Sequence, residues 1–260
     1  MAGAAFFDLD KTLMEGSSAI HFVRAAYKSG MLSKRMLVSS VWANLRFRLN
    51  GSTDEQTDEL RQWVLDLIAG QRTVDLARLG PDVLAGVLPL IYEEMLHEAW
   101  EHQDAGRPAY IVTAASQELA ETLARVLVFE GGVGMRSETR NGVYTGQPAG
   151  PFTYRDGKAA AIAELAEREG IDLAQSYAYS DSESDLPMLR AVGNPVAVNP
   201  DSELERIARA EGWRIMRFDT LRRRLRLGAA VGAGALLAGG GGYAAARLRR
   251  PARWRRVLRR

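Results

Sequence analysis

Three features of the sequence predict an α/β protein built on a doubly wound parallel sheet. An apolar run near the N-terminus reads as a buried strand, strands alternate with helices after Gly106, and polar clusters close three of the strands. The chain is 260 residues long, with 47% hydrophobic and 25% charged residues, enough for one large core or two smaller ones. It has no cysteine, which excludes disulfides, thiolate metal sites and a cysteine nucleophile.

The first strand is the run Ala4 to Leu9. A long segment from Ser17 to Ala105 then carries helical punctuation. Ser17-Ser18 caps a helix that stops at Gly30, Ser33 one that runs to Asn50-Gly51, and Thr53-Asp54 a third that ends at Gly70. Pro81-Asp82 opens a fourth, with Val83, Val87, Leu90 and Ile91 at helical spacing before the acidic stretch to Glu101. The segment is expected to form an all-helical insert in which Trp42, Trp63 and Trp100 pack between helices. His21, His97 and His102 lack metal-ligand spacing and are expected in packing or surface roles.

After Gly106 the pattern changes. Ala109 to Thr113 predicts a strand, Gln117 to Val128 a helix, and Gly131 to Gly146 short strands around an Asn141-Gly142 turn. Lys158 to Arg168 predicts a helix, Ser176 to Ser180 a strand, Glu183 to Ala191 a short helix, Pro195 to Val198 a strand and Ser202 to Glu211 a helix.

Charge divides the chain. All 32 acidic residues lie at or before Asp219, while the last 41 residues carry twelve arginines and no acid, so an acidic body of net −10 is followed by a tail of +12. A nucleic-acid-binding enzyme spreads basic surface over its fold, and this body does not, so no specific nucleic-acid partner is expected. Residues 227–246 form a 20-residue stretch without a charge, flanked by arginines, that predicts a transmembrane helix; a flexible glycine/alanine linker is the alternative. The N-terminus lacks the basic start and apolar core of a signal peptide. A cytoplasmic catalytic body tethered to the membrane by residues 220–260 is therefore expected.

In a parallel α/β sheet ligands sit beyond the carboxyl ends of the strands. The polar clusters there are Asp8-Leu9-Asp10-Lys11-Thr12, Thr113-Ala114-Ala115-Ser116 and Ser180-Asp181-Ser182-Glu183-Ser184-Asp185, with Lys158 opening the helix between the last two. Folding is expected to gather Asp8, Asp10, Asp181 and Asp185 around one crevice. Four carboxylates in close quarters call for a divalent cation, and an all-oxygen set suits Mg²⁺. Thr113 and Lys158 offer a donor and a positive charge to a phosphoryl group, and a carboxylate beside Mg²⁺ can attack phosphorus.

Phe-Phe-Asp-Leu-Asp-Lys-Thr, Ile-Val-Thr-Ala-Ala-Ser, Gly157-Lys158 and Ser-Asp-Ser-Glu-Ser-Asp resemble, in order, the four motifs of the haloacid dehalogenase superfamily. The helical insert after the first motif resembles the phosphoserine-phosphatase-like branch. The resemblance implies a Rossmann-like core of residues 1–14 and 106–219 and a helical cap of residues 15–105. It also implies a phosphomonoester hydrolase acting through an aspartyl-phosphate on a small phosphorylated substrate. By the same resemblance Asp8 is the nucleophile and Asp10 the general acid–base. Mg²⁺ is held by the Asp8 side chain, the Asp10 backbone carbonyl and Asp181, with Asp185 supporting its waters, and Thr113 and Lys158 bind the phosphoryl oxygens. A phosphotransferase to another acceptor and a non-catalytic, membrane-recruited binding module are the alternatives.

Two positions depart from the phosphoserine-specific pattern. Ser17 stands where those enzymes carry a glutamate nine residues after the nucleophile, and Ser184 where an asparagine is common. Phosphoserine is therefore not the expected substrate. Glu15 is expected either to contact substrate or to cap the hinge of the cap.

Overall fold

The computed structural model describes residues 2–32, 62 and 64–218. The expected helix between Ser33 and Asn50, the first part of the one expected from Thr53 to Gly70, the residues Trp42 and Trp63, and the apolar stretch 227–246 lie outside the described residues. A compact unit covers Met1–Arg217.

Its centre is a six-stranded sheet. The strands are β1 (Ala5–Asp8), β2 (Ala109–Ser116), β3 (Gly131–Met135), β6 (Tyr177–Ser180), β7 (Asn194–Val198) and β8 (Arg214–Met216). They lie in the order β3-β2-β1-β6-β7-β8, with every neighbouring pair parallel. β1 is wholly buried and central, as its unbroken apolar run requires for a strand covered on both faces. β8 has no counterpart in the sequence reading. It is a three-residue, half-exposed edge strand with too short a pattern to signal itself.

Alternation along β1 sends its two phenylalanines to opposite faces. Phe6 lies with Ala4, Val112 and Ala178 against Ile162 and Leu165 of the helix α6 (Asp156–Glu169) and Leu189 of α7 (Leu186–Arg190). Phe7 stacks on Tyr179, with ring centroids 4.5 Å apart, and meets Phe129 at 5.6 Å and His102 at 6.3 Å. Each buried phenylalanine contributes about 1.5–3 kcal/mol by removal from water.

The chain leaves and re-enters the core through two antiparallel segments bridged at Met14 and Ile91. The Glu15 N–H donates to the Leu90 carbonyl at 2.8 Å, and the Tyr92 N–H to the Leu13 carbonyl at 3.0 Å. Between them lie α1 (Ser18–Lys28), a helical stretch at 64–68, α2 (Thr73–Ala77) and α3 (Gly80–Val87). The helix expected from Pro81 stops before Leu90 and Ile91, which were expected on its apolar face. Pro89 falls in a 3₁₀ turn, Leu88–Leu90, after which Ile91 is extended, and α4 (Glu93–Asp104) starts anew. The buried residues Met95, Ala99 and His102 form one face of α4, and His102 Nε2 lies 2.7 Å from the Tyr179 hydroxyl. This helix, expected with the cap, thus packs on the sheet beside Phe7 and Tyr179. Trp100, expected between helices, is 45% exposed. His102 has the packing role expected of it: burial and then the nearby Arg107 push its pKa down to about 4, against the pull of Glu98.

After β3 the antiparallel hairpin β4 (Ser137–Arg140) and β5 (Val143–Pro148) turns at Asn141-Gly142, both at positive φ. It bonds the insert directly: the Gly70 N–H donates to the Tyr144 carbonyl, and the Tyr144 N–H to that of Gln71, each at 2.9 Å.

Candidate active site

Register places the site. Asp8 pairs in level with Val112 and Phe7 with Tyr179, so the carboxyl ends of β2, β1 and β6 bring Thr113, Asp8 and Ser180-Asp181 to one height. Thr113, Asp8, Asp181 and Asp185 are all buried. The Thr113 hydroxyl accepts the Ala115 N–H at 3.1 Å, within the last part of β2 where its register with β3 shifts.

Lys158 reaches the same point from the first turn of α6. Its entry is tightly built: a Cβ on Gly157 would stand 1.7 Å from the Phe152 carbonyl oxygen, so no side chain fits there. Arg155, just before the helix, holds φ +49 with ψ −121, a positive-φ conformation that costs a non-glycine residue about 1–3 kcal/mol. The Lys158 ammonium then donates to Asp8 Oδ1 at 2.5 Å and to Asp185 Oδ2 at 2.7 Å, with all three side chains buried. Ser180 Oγ donates to the same Asp185 oxygen at 2.6 Å.

This leaves three buried carboxylates around one buried ammonium. Burial pushes the Asp8 carboxyl up to about 8, with the Asp185 and Asp181 charges adding to the rise and Lys158 opposing it. Burial likewise raises Asp181 to about 6, against the pull of Lys11. Burial alone would lower the Lys158 pKa, but the Asp185 and Asp8 charges outweigh it and keep the ammonium protonated. Asp185 Oδ1 is buried with no hydrogen-bond partner. An excess of buried negative charge and an orphaned carboxylate oxygen fit a hard cation and its waters. Mg²⁺ takes only one or two carboxylates and fills its shell with other oxygens. Among the described residues no group of three or more His, Asp or Glu side chains is placed to hold a metal ion by itself, so other oxygens would have to complete its shell.

Asp10 does not join the carboxylate cluster through its side chain. Its Oδ2 accepts the Ser17 hydroxyl at 2.6 Å and its Oδ1 the Ser18 N–H at 2.8 Å, at the start of α1. Glu15 lies where the chain leaves the core for the insert, its N–H bonded to the Leu90 carbonyl.

Several supporting residues escaped the sequence reading. Asp201 caps α8 (Ser202–Ala210) with Oδ1, accepts the Glu183 N–H with Oδ2 at 3.0 Å, and donates its own N–H to the Asp181 carbonyl at 2.8 Å. Aspartate before an amphipathic helix was legible as a cap; its second contact was not. Lys11, at φ +60, brings its ammonium 3.4 Å from Asp181 Oδ2, a weak pair because the lysine is 59% exposed.

A parallel-sheet core whose strand ends hold a buried carboxylate–lysine cluster, with a helical insert after its first strand, defines the class. The family model of haloacid dehalogenase-like hydrolases matches residues 5–190, and the chain belongs to that family. Phosphoserine phosphatase SerB1 of Mycobacterium tuberculosis is 37% identical over 257 residues, spanning 97% of this chain and 82% of its own. Histidinol-phosphatase of Neisseria meningitidis is 29% identical over 223 residues, 84% of this chain and 100% of its own. Among solved structures, a Bordetella pertussis protein of unknown function superposes with a TM-score of 0.74 at 28% identity, covering 83% of this chain and 98% of that one.

Proposed function

We propose that this hydrolase cleaves small phosphomonoesters through an aspartyl-phosphate on Asp8, with Mg²⁺ as cofactor. The observation that carries the reading is the Lys158 ammonium clasped between Asp8 and Asp185 at the strand ends. It fixes one carboxylate beside a positive charge at the place where phosphoryl oxygens would be bound. The names of the two relatives, one a phosphoserine phosphatase and the other a histidinol-phosphatase, support phosphatase chemistry.

In the first half-reaction an Asp8 oxygen bonds to phosphorus as the bond to the ester oxygen breaks, and protonated Asp10 gives its proton to the departing alcohol. In the second, Asp10 takes a proton from water, the water oxygen bonds to phosphorus, and the Asp8–phosphorus bond breaks to release phosphate. Lys158 and Thr113 bind the phosphoryl oxygens. The Asp8 and Asp181 side chains and the Asp10 carbonyl would hold Mg²⁺, with Asp185 supporting its waters. The metal would supply charge neutralisation between phosphate and carboxylates. The insert, hinged at the pairing of residues 13–15 with 90–92, would close over the site and exclude bulk water.

Phosphate release by the full-length protein from phosphoamino acids, sugar phosphates, nucleotides and lipid head-group phosphates tests this reading. We expect turnover of at least one class, silenced by EDTA and restored by Mg²⁺. No release from any class, or full activity in EDTA, contradicts it. Phosphoserine should not lead the panel, because Ser17 offers no carboxylate to an ammonium group and its hydroxyl is already bound to Asp10. A tenfold lead for phosphoserine in kcat/KM would overturn that assignment.

We further propose that residues 220–260 bring a cytoplasmic catalytic domain to an anionic membrane surface. The support is sequence alone: twelve arginines flank or follow the uncharged stretch 227–246. Basic residues contribute about 1 kcal/mol each near such a surface. No helix among the described residues is long and apolar enough to cross a membrane, and 227–246 lies outside them. A spanning tail should keep the full chain in the pellet through salt and carbonate washes, an electrostatic one should release it in salt, and truncation after Asp219 should leave a soluble, active enzyme. Full-length protein that ignores anionic vesicles at low salt would refute the proposal.

A further inference from the structure

We infer that Ser17 is a positioning residue for proton transfer, holding the Asp10 carboxylate from the cap side of the hinge. The inference rests on the acid–base role proposed for Asp10.

Ser17 is the N-cap of α1, with extended backbone at φ −132, ψ 129. An N-cap serine ordinarily accepts an N–H from the second or third residue of its helix, a bond that contributes about 1 kcal/mol. Ser17 makes no such bond. Its hydroxyl donates instead to Asp10 Oδ2 at 2.6 Å, while the first N–H of the helix, on Ser18, donates to Oδ1 at 2.8 Å. Both oxygens of one carboxylate are therefore held by consecutive residues at the start of an eleven-residue helix.

The turn that permits this is itself fixed. Gly16 sits at φ +86, and its carbonyl accepts the Lys11 N–H at 3.1 Å. The next residue out, Glu15, is bonded to Leu90 across the hinge. The Asp10 side chain is thus oriented by the cap and its hinge, whereas Asp8, Lys158 and Thr113 are oriented by the sheet and α6. Loss of the Ser17 hydroxyl should disturb proton delivery to the leaving alcohol and leave phosphoryl binding intact.

Leaving-group dependence separates this role from a general structural one. A general acid matters for a poor leaving group such as an alkoxide and hardly at all for 2,4-dinitrophenolate. The full-length Ser17→Ala enzyme should lose about 10- to 100-fold in kcat/KM on an alkyl phosphomonoester that the wild type hydrolyses, and less than about 3-fold on 2,4-dinitrophenyl phosphate. Its KM for both should stay near wild type, and Ser17→Thr, which keeps the hydroxyl, should recover most of the loss. Equal losses on the two substrates, no loss on the alkyl ester, or no recovery in Ser17→Thr would overturn the inference. Asp10→Asn measured in parallel tests the premise: the same discrimination there with none in Ser17→Ala rejects Ser17 alone, and no discrimination in Asp10→Asn rejects the acid–base reading of Asp10.

Discussion

Asp8→Asn is expected to lower kcat by about four to six orders of magnitude, the scale seen when an enzyme loses its nucleophile. An amide oxygen does not form the acyl-phosphate bond, so the covalent path closes rather than slows. The fold should survive, because the substitution removes one of three buried carboxylates that repel one another and leaves the Lys158–Asp185 pair in place. Phosphate release and thermal melting on the same purified sample check both halves. A melting temperature at or above that of wild type with turnover at background is the expected result. Turnover within tenfold of wild type would mean that Asp8 is not the nucleophile.

Lys158→Ala should damage stability as well as activity. Lys158 is the buried cation between Asp8 and Asp185, and removing one partner of a buried ion pair costs about 3–5 kcal/mol. For a domain of this size that is a fall of roughly 10 °C in melting temperature. The deficit has a definite pH dependence. Asp8 already has a folded-state pKa, about 8, above its unfolded value of about 4. A raised folded value means that stability is full below the unfolded pKa and is lost as pH rises toward the folded one. Without the ammonium the carboxylates are pushed further in the same direction, so the deficit of Lys158→Ala should grow from about pH 4 upward and shrink in acid. Melting curves of metal-free wild type and variant across that range decide it. Equal stability at pH 7 would show that the lysine is not the charge that holds the cluster together.

Much of this site was legible because parallel sheets impose one rule on distant segments: polar residues that end central strands meet at the same edge. Asp8, Thr113 and Asp181 each close an apolar run, and the register of β1 with β2 and β6 does the rest. Lys158 was legible only with Gly157, whose need for a bare Cα is visible once Phe152 is seen against it. What the sequence hid is what long-range contact decides. The apolar spacing from Val83 to Ile91 looked like one helix, yet Pro89 breaks it, and the His102–Tyr179 contact draws the next helix onto the sheet. Asp10 was expected among the other carboxylates because spacing shows that two residues are near but not where a side chain turns. Its direction is set by the fold-back at Gly16, which delivers Ser17 and Ser18 to it. Ser17 registered as a helix cap and as the place of a missing glutamate, and no local pattern marks a capping serine whose hydroxyl points away from its own helix.

The central claim is a covalent phosphoryl group on Asp8, and it can be read chemically. Full-length enzyme quenched in acid during steady turnover and reduced with borohydride should yield homoserine at position 8, the product of reducing an aspartyl-phosphate. Peptide mass spectrometry should find it only when substrate was present, and never in Asp8→Asn. Steady phosphate release with position 8 unmodified, or with the phosphoryl group on another residue, would contradict the account.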